Sequence, residues 1–491
     1  MQISPNLVRR ALSGHAAIGL LAGAILYILS VSGSLIVVHE EWQRWEQPAM
    51  PEMATIAPQA VQRGAEAVMA SEAGKKTAHF YVHLPSEALP RTVVTTDNQA
   101  VYVDADGAVA GPEAHGFTEF MIGLHYYLHL PHILGLAIVG AFGVMMAALV
   151  VGGVIAHPRI FRDAFKLRAR GNRQLAFADW HNRLGAWTLP FGLAVAITGA
   201  LLGLATILAY AMAATWHDGD IEAVYAPVFG AEPAHDTRPA PMPNIAAALD
   251  HMARAYPELR ASYVILHDPG TAGQYLQVMA DHPRRLIFGE YYTFDSAGTF
   301  VRKTGMSDGE LGQQLAASTY RLHFGNFGGL PVKLAYIALG AALSVVSATG
   351  MSIWLMKRRQ RGSASPRLEA MWSATLWGTP ALIALAYVAR AAFGPEAPMA
   401  AIFWIGLALA TGTGIATARA RAVELALRVA LAGLLLGIGT LHLALLDRTG
   451  SGPLVIDLAL IATGAAVAAT TARRFGLERR CEAAAALAPA E

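Results

Sequence analysis

A single cysteine, Cys481, stands in a chain of 491 residues. The chain therefore closes no disulfide on itself, holds no cysteine-ligated cluster and has no C-x-x-C-H attachment site for a covalent haem. Charge is also scarce, with Asp, Glu, Lys and Arg making up 15% of the residues. No G-x-G-x-x-G follows a strand-like run, and the loops at 157–180 and 357–370 are too short to fold around a nucleotide, so NAD and flavin sites are excluded from this chain. The order His39-Glu40-Glu41-Trp42 is not the H-E-x-x-H of a metalloprotease, and no nucleophile–base set for hydrolysis is evident. Asp457 is the one acid well inside an apolar run, which leaves no series of intramembrane carboxylates for a proton relay.

What the chain has instead is apolar sequence. Hydrophobic residues make up 54% of it, gathered in runs of about 20 or more, the length that crosses a bilayer core. The runs predict helices at 14–38, 119–156, 181–214, 322–356, 371–392, 399–418, 427–446 and 453–471. The second, third and fourth exceed a minimal span and are expected to tilt or project. Basic residues fall in alternate connections: Arg9 and Arg10; Arg159, Arg162, Lys166, Arg168, Arg170 and Arg173; Lys357, Arg358, Arg359 and Arg361; Arg419 and Arg421; Arg473, Arg474, Arg479 and Arg480. With eight spans all of these lie on one side, which the positive-inside rule makes the cytoplasm, with both termini there. The first helix reads as an anchor rather than a signal peptide, since no A-x-A-like site follows it. With its basic residues assigned to loops, the net charge of +2 carries no nucleic-acid signal.

Two segments, 40–118 and 215–320, are too polar to span and lie opposite the basic loops. Pro58–Ala70 and Asn244–Tyr256 read as amphipathic helices. Strands are expected at His79–His83, Thr92–Thr96 and Ala100–Val103, and at Ser262–Leu266, Gln274–Met279 and Tyr291–Phe294. The turns Asp104-Ala105-Asp106-Gly107 and Asp295-Ser296-Ala297-Gly298 close the two units. A helix followed by a small antiparallel sheet, twice, fits two copies of one α+β module.

The histidines repeat in step with this. His15 and His181 are each followed four residues later by glycine (Gly19, Gly185) and, after an apolar run, by a small residue and glycine (Ser32-Gly33, Thr198-Gly199). Leu124-His125 and Leu322-His323 each stand 27 positions before a glycine, Gly152 and Gly350. Residues 1–356 thus read as a tandem duplication of helix, outside module and helix. Four histidines at helix ends, matched between halves and two to a face, suit axial ligation of two haem irons, His15 with His181 inside and His125 with His323 outside. The bland alternatives are interfacial histidines and a three- or four-ligand metal site, for which the inner pair lacks a third partner. His129 follows His125 by one helical turn, so either reaches the same position. Arg321 and Arg183 are candidate propionate partners, with snorkelling or topology as the alternative. His132 and His39 read as interfacial neighbours, and His442 as a packed core residue. Trp42, Trp45, Tyr126, Tyr127, Tyr320, Phe324 and Phe327 read mostly as an interfacial belt.

The stretches HAAIGLLAGAILYILSVSG from His15, LHYYLHLP from Leu124, HNRLGAWTLPFGLAVAITG from His181 and LHFGNFGGLP from Leu322 resemble the PepSY-associated transmembrane family, which includes iron-regulated inner-membrane proteins and siderophore reductases. The resemblance covers about residues 1–360; helices five to eight lie outside it. It implies PepSY-like outside modules, haem b, and electron transfer to periplasmic ferric chelates.

The expectation is a mainly α inner-membrane protein of eight transmembrane helices with two periplasmic PepSY-like modules. Its segments run 1–39, 40–118, 119–214, 215–320, 321–357, 358–370, 371–472 and 473–491. Two b haems would carry electrons from a quinol or a separate membrane donor to a ferric siderophore or other Fe(III) chelate. The alternatives are a general membrane cytochrome serving a periplasmic protein, a non-redox binding or anchoring protein, and a transporter. Nothing in 371–471 suggests a site.

Overall fold

A computed structural model describes residues 4–72, 75–165, 173–230, 236–283, 286–445 and 452–486. Among the described residues the elements run, in chain order, α1 (Pro5–Ile36), α2 (His39–Glu46), α3 (Pro58–Ser71), β1 (His79–His83), β2 (Thr92–Thr96), β3 (Ala100–Val103), β4 (Val109–Pro112), α4 (Gly116–Tyr126), α5 (His132–Ala156), α6 (Ile160–Asp163), α7 (Arg173–Trp187), α8 (Leu189–Trp216), α9 (Glu222–Phe229), α10 (Ile245–Ala255), β5 (Arg260–His267), β6 (Tyr275–Asp281), β7 (Glu290–Phe294), β8 (Phe300–Lys303), α11 (Leu311–Phe324), α12 (Gly329–Gln360), α13 (Pro366–Phe393), α14 (Met399–Thr417), α15 (Ala420–Leu445) and α16 (Gly452–Ala486). Eight of the helices are long and apolar enough to cross a membrane: α1, α5, α8, α12, α13, α14, α15 and, over Leu454–Gly476, α16. α5 shows what that means in residues. Only Gly135 and Gly140 are buried in it, while Ile133, Leu134, Val144 and Val151 are exposed. A helix apolar all round and uncovered by protein is one that lipid covers.

Three of the expected long helices are broken. Residues 119–156 divide into α4 and α5, because Leu128 and His129 take left-handed backbone (φ 53° and 56°) and Pro131 supplies no N–H. Residues 322–356 divide at Gly325 and Gly329, with φ 70° and 61°. Residues 181–214 divide at Thr188, two positions before Pro190, whose missing N–H leaves a gap in the helical ladder. Part of the excess length is taken up by α4, α7 and α11, the short helices that carry the histidines and precede the spans. Of the basic residues expected between the second and third spans, Lys166, Arg168 and Arg170 lie outside the described residues.

The chain forms two compact units. One takes the described residues of Met1–Pro48, His115–Ile197 and Leu334–Glu491. In it α13 to α16 are not a separate bundle but pack on α1, α2 and α4. Trp45, Phe117, Met121, Leu124, Leu382 and Phe403 are buried in one shared core. Tyr27 of α1 donates its hydroxyl to Leu376 O on α13 at 2.8 Å and lies edge-on to Trp372. Trp42 and Trp45 are 7% and 1% exposed, so they are core residues and not part of an interfacial belt.

The other unit takes the described residues of Ala49–Ala114 and Thr198–Lys333. The two expected sheets are one antiparallel sheet of eight strands, in the order β4-β3-β2-β1-β5-β6-β7-β8. The seam is the β1–β5 pair, with Phe80 opposite Leu266 and Val82 opposite Val264. Strands β4 and β8, unlike the equally short β3, show no apolar run in the sequence, β4 ending in Gly111-Pro112 and β8 in Arg302-Lys303; they close the two edges. Phe80, Val82, Val94, Val264, Leu266, Leu276, Val278 and Phe294 point to one face, where α3 (Val61, Ala65, Val68) and α10 (Ile245, Ala248, Met252) cover them. Truncating Phe80 to Ala in such a core costs about 3–5 kcal/mol. Both expected turns form around an aspartate: Asp104 Oδ1 accepts from the Asp106 and Ala108 N–H groups, and Asp295 Oδ1 from those of Ala297 and Thr299.

Candidate functional site

A backbone carbonyl inside a helix uses one lone pair on the N–H four residues ahead and keeps a second that side chains usually shield. Where the residue four ahead is glycine, the missing Cβ opens that second lone pair to a ring from another helix. This happens three times. His15 Nδ1 lies 2.9 Å from Leu149 O, with Gly153 four positions on. His181 Nδ1 lies 3.0 Å from Val346 O, with Gly350 four positions on. His125 Nδ1 lies 3.0 Å from Leu29 O, with Gly33 four positions on. A Cβ built on those glycines would approach the histidine Cε1 to 3.3, 3.1 and 2.6 Å respectively.

The small residue before the glycine completes the seat. Ser32 Oγ, which donates to Ile28 O, is 3.3 Å from His125 Nδ1. Thr349 Oγ1, which donates to Val345 O, is 3.3 Å from His181 Nδ1. In the sheet-bearing unit His323 follows the same plan: Thr198 Oγ1 is 3.0 Å from its Nδ1, and a Cβ on Gly199 would come within 2.9 Å of its Cε1. The repeated small-residue–glycine pair is therefore a receptor for a histidine ring. A carbonyl only accepts, so Nδ1 carries the hydrogen in His15, His125 and His181, and the neutral ring's lone pair is on Nε2. That is how histidine ligands of metals are held.

His15 and His181 come together within the first unit. Their ring centres are 6.2 Å apart and their planes cross at 81°. Both line a cavity of about 700 Å³ walled by α1, α5, α7 and α12. Gly185, on that wall, has nothing within 4 Å of where its Cβ would be, so the space there belongs to the cavity. Lys357 and Arg358 of α12, and Arg361 just past its end, also line it. Arg358 is set over the Trp354 ring at 5.0 Å, and its buried Nε has no hydrogen-bond partner among the described residues.

These features fit a planar macrocycle. Two imidazoles on opposite sides of one metal, at about 2 Å per metal–nitrogen bond, have ring centres about 6 Å apart. Among the described residues no group of three or more His, Cys, Asp or Glu could hold a metal ion. Two imidazoles 6.2 Å apart that line one cavity suit a metal whose remaining ligands come with a cofactor.

The other predicted site residues fall elsewhere. His129 is not one turn from His125 on a common face, because α4 ends at Tyr126 and the chain reverses through left-handed residues. Its ring stacks on Phe120 at 5.1 Å and sits against Gly123. Arg183 is buried and ion-paired with Asp179 at 3.2 Å, and Arg321 is 2.5 Å from Asp281 of β6; each guanidinium already has a carboxylate. His132 lies edge-on to Tyr127, and His39 Nδ1 is 3.2 Å from Ile36 O. Arg358 carried no sequence signal beyond its basic cluster. Gly153 was hidden beside Gly152, whose Cβ would meet only His15 Cβ at 3.8 Å.

The sequence profile of the family described as the PepSY-associated TM region matches residues 12–357. An uncharacterized protein of Pseudomonas aeruginosa is 24% identical over 261 residues, a match that spans 51% of this chain and 66% of that relative, just under two thirds of its length.

Proposed function

Since the chain belongs to the PepSY-associated transmembrane family, we propose that it is a multi-pass inner-membrane protein that carries electrons outward through two b haems to a periplasmic ferric chelate. The observation that carries this reading is the His15–His181 pair, 6.2 Å apart across a cavity, with both rings held in the tautomer that presents Nε2. In this reading the basic connections face the cytoplasm, with both termini, and residues 1–356 are two copies of one unit. The matched seats of His15 and His181, and of His125 and His323, support that duplication, as does a sheet whose halves mirror each other about β1–β5.

His15 and His181 would hold the inner haem, and His125 and His323 the outer one. A bound haem supplies reversible one-electron exchange at iron, and two histidine ligands leave no open position for other chemistry. The chain's own part is to fix the rings. Leu149 O and Val346 O accept from Nδ1–H, which stops rotation and makes Nε2 the better donor. Gly185 leaves room for a flat ring. Lys357, Arg358 and Arg361 offer cations to the carboxylates of the inner haem, the part first given to Arg183. With no nucleotide-binding motif in this chain, the donor is a quinol or a separate protein. A ferric siderophore would accept one electron, and Fe(II) is held less tightly than Fe(III) by hard oxygen donors.

The test is a reduced-minus-oxidised spectrum with haem quantitation on wild type and on His15, His181, His125, His129 and His323 each changed to Ala. Two haems per chain are expected, with the first two changes removing one and those at His125 and His323 the other. Wild type purified after haem-replete growth without a Soret band would remove the redox reading. Oxidation of the reduced protein by ferric siderophores then tests the acceptor.

A further inference from the structure

The four C-terminal helices hold a buried pair of titratable groups that the electron path does not use. His442 of α15 and Asp457 of α16 are 7% and 2% exposed. His442 Nδ1 lies 2.9 Å from one carboxylate oxygen of Asp457 and 3.0 Å from the other, while its Nε2 lies 3.0 Å from Trp45 O. Trp45 closes the arrangement from α2: its indole stacks on the imidazole at 4.1 Å and its Nε1–H donates to Asp457 Oδ1 at 2.8 Å.

The partners set the proton count. Trp45 O only accepts, so Nε2 bears a hydrogen. If Asp457 were ionised and His442 neutral, Nδ1 would then turn a lone pair on a carboxylate in a buried site, and an uncompensated charge would be buried. One more proton between Nδ1 and Asp457 satisfies every contact, as imidazolium–carboxylate or as neutral imidazole with carboxylic acid. Among the described residues the neighbouring charged groups are engaged elsewhere: Glu46 of α2 is 3.1 Å from Arg390 of α13 and Glu119 of α4 is 3.6 Å from His115, while Tyr387 of α13 lies against Trp45 at 4.5 Å.

We infer that His442 and Asp457 form a proton-binding site, holding one proton between them, whose occupancy determines whether α2 stays docked on α15 and α16. The consequence reaches further along α2. The next residue, Glu46, accepts from the Phe117 and Thr118 N–H groups and the Thr118 hydroxyl, so it caps α4, the helix that carries His125. Loss of the proton sets a lone pair against a carboxylate, releases Trp45, and loosens α4. By linkage, whatever binds His125 shifts the affinity of the proton site equally. That last step alone rests on the haem reading; the proton and the docking do not.

The test compares the full-length wild type with the double variant His442→Leu/Asp457→Leu in detergent, by proton titration and by peptide-resolved hydrogen exchange. Replacing a buried ion pair with apolar residues is usually tolerated, and Asp457→Asn serves as a second variant. Wild type is expected to release about one proton more per chain as pH rises, with exchange in 39–46 and 116–126 becoming about tenfold faster over the same range and exchange in 79–112 unchanged. Asp457→Asn is expected to show the faster exchange at neutral pH. Coincident titration curves would overturn the proton site. A proton lost without any change in 39–46 or 116–126 would overturn its control of docking. Either result stands whether or not haem is bound.

Discussion

Gly33 lies under the imidazole of His125: a Cβ there would stand 2.6 Å from Cε1 and 3.0 Å from Nδ1. No real Cβ tolerates that approach, so the glycine is there for the histidine and not for helix packing alone. The ring is the movable partner, which decides what a substitution does. Gly33→Ala is expected to swing His125 off Leu29 O while destabilising the fold by only about 1–3 kcal/mol. Haem quantitation on the purified variant should show loss of the outer haem with the inner retained.

Gly350→Ala probes the inner seat more gently. Its Cβ would lie 3.1 Å from His181 Cε1, a distance a slight ring displacement relieves. A shifted spectrum or potential with the haem still bound is the expected outcome, in contrast to Gly33→Ala. Complete loss would mean that the His181 ring cannot move at all.

Gly185→Ala separates cavity from packing. The new methyl group meets no protein atom within 4 Å, so thermal stability of the empty protein should be unchanged or slightly raised, as for Gly→Ala in any helix. Haem incorporation should nevertheless fall severalfold, because the methyl group takes space in the cavity. Unaltered incorporation would place the cofactor elsewhere.

Arg358→Gln removes a cation from the cavity wall while keeping length and polarity. Haem should still bind through His15 and His181, with a lowered midpoint potential, since a positive charge nearby favours the reduced form. The same change at Arg183 should instead reduce stability and leave the potential alone, because it removes the cation that lies 3.2 Å from the buried Asp179.

Acid should weaken the sheet unit through Asp97. The backbone N–H of Ala78, with further bonds from His79, holds this carboxyl below its ordinary range. A carboxylate lowered in the folded state stabilises it above the unfolded value of about 3.9, and that contribution disappears as pH falls through the folded value. Wild type should therefore melt above Asp97→Asn at pH 7, and the difference should close below about pH 4. A difference that persists at low pH would show that hydrogen-bond geometry, not charge, carries the effect.

Periodicity and spacing made much of this architecture legible. The eight apolar runs, both amphipathic helices, six strands and both aspartate turns follow from local chemistry, and they lie where that chemistry puts them. The histidine–glycine pattern was visible too, though not its cause: that a glycine marks the carbonyl four residues earlier is a relation between helices. What was not legible is non-local in the same way. Leu128 and His129 look like helix continuation, and only their left-handed backbone separates His129 from His125. Arg183 looked as available as Arg358 until Asp179 claimed it. His442 and Asp457 each read as an isolated polar residue, because the Trp45 that joins them is some 400 positions away.

The β1–β5 seam has a consequence for biogenesis. β1 has β2 on one side, but its other neighbour is 180 residues later by the pairing of His83 with Tyr263, and two of the membrane-crossing helices, α5 and α8, are made in between. Until β5 is made, β1 presents an open edge with Phe80 and Val82 only half covered, a surface prone to pairing with the wrong strand. The first polar segment is thus an obligate half-product. Synthesis of the second segment, rather than completion of the first, is the step that ends its exposure.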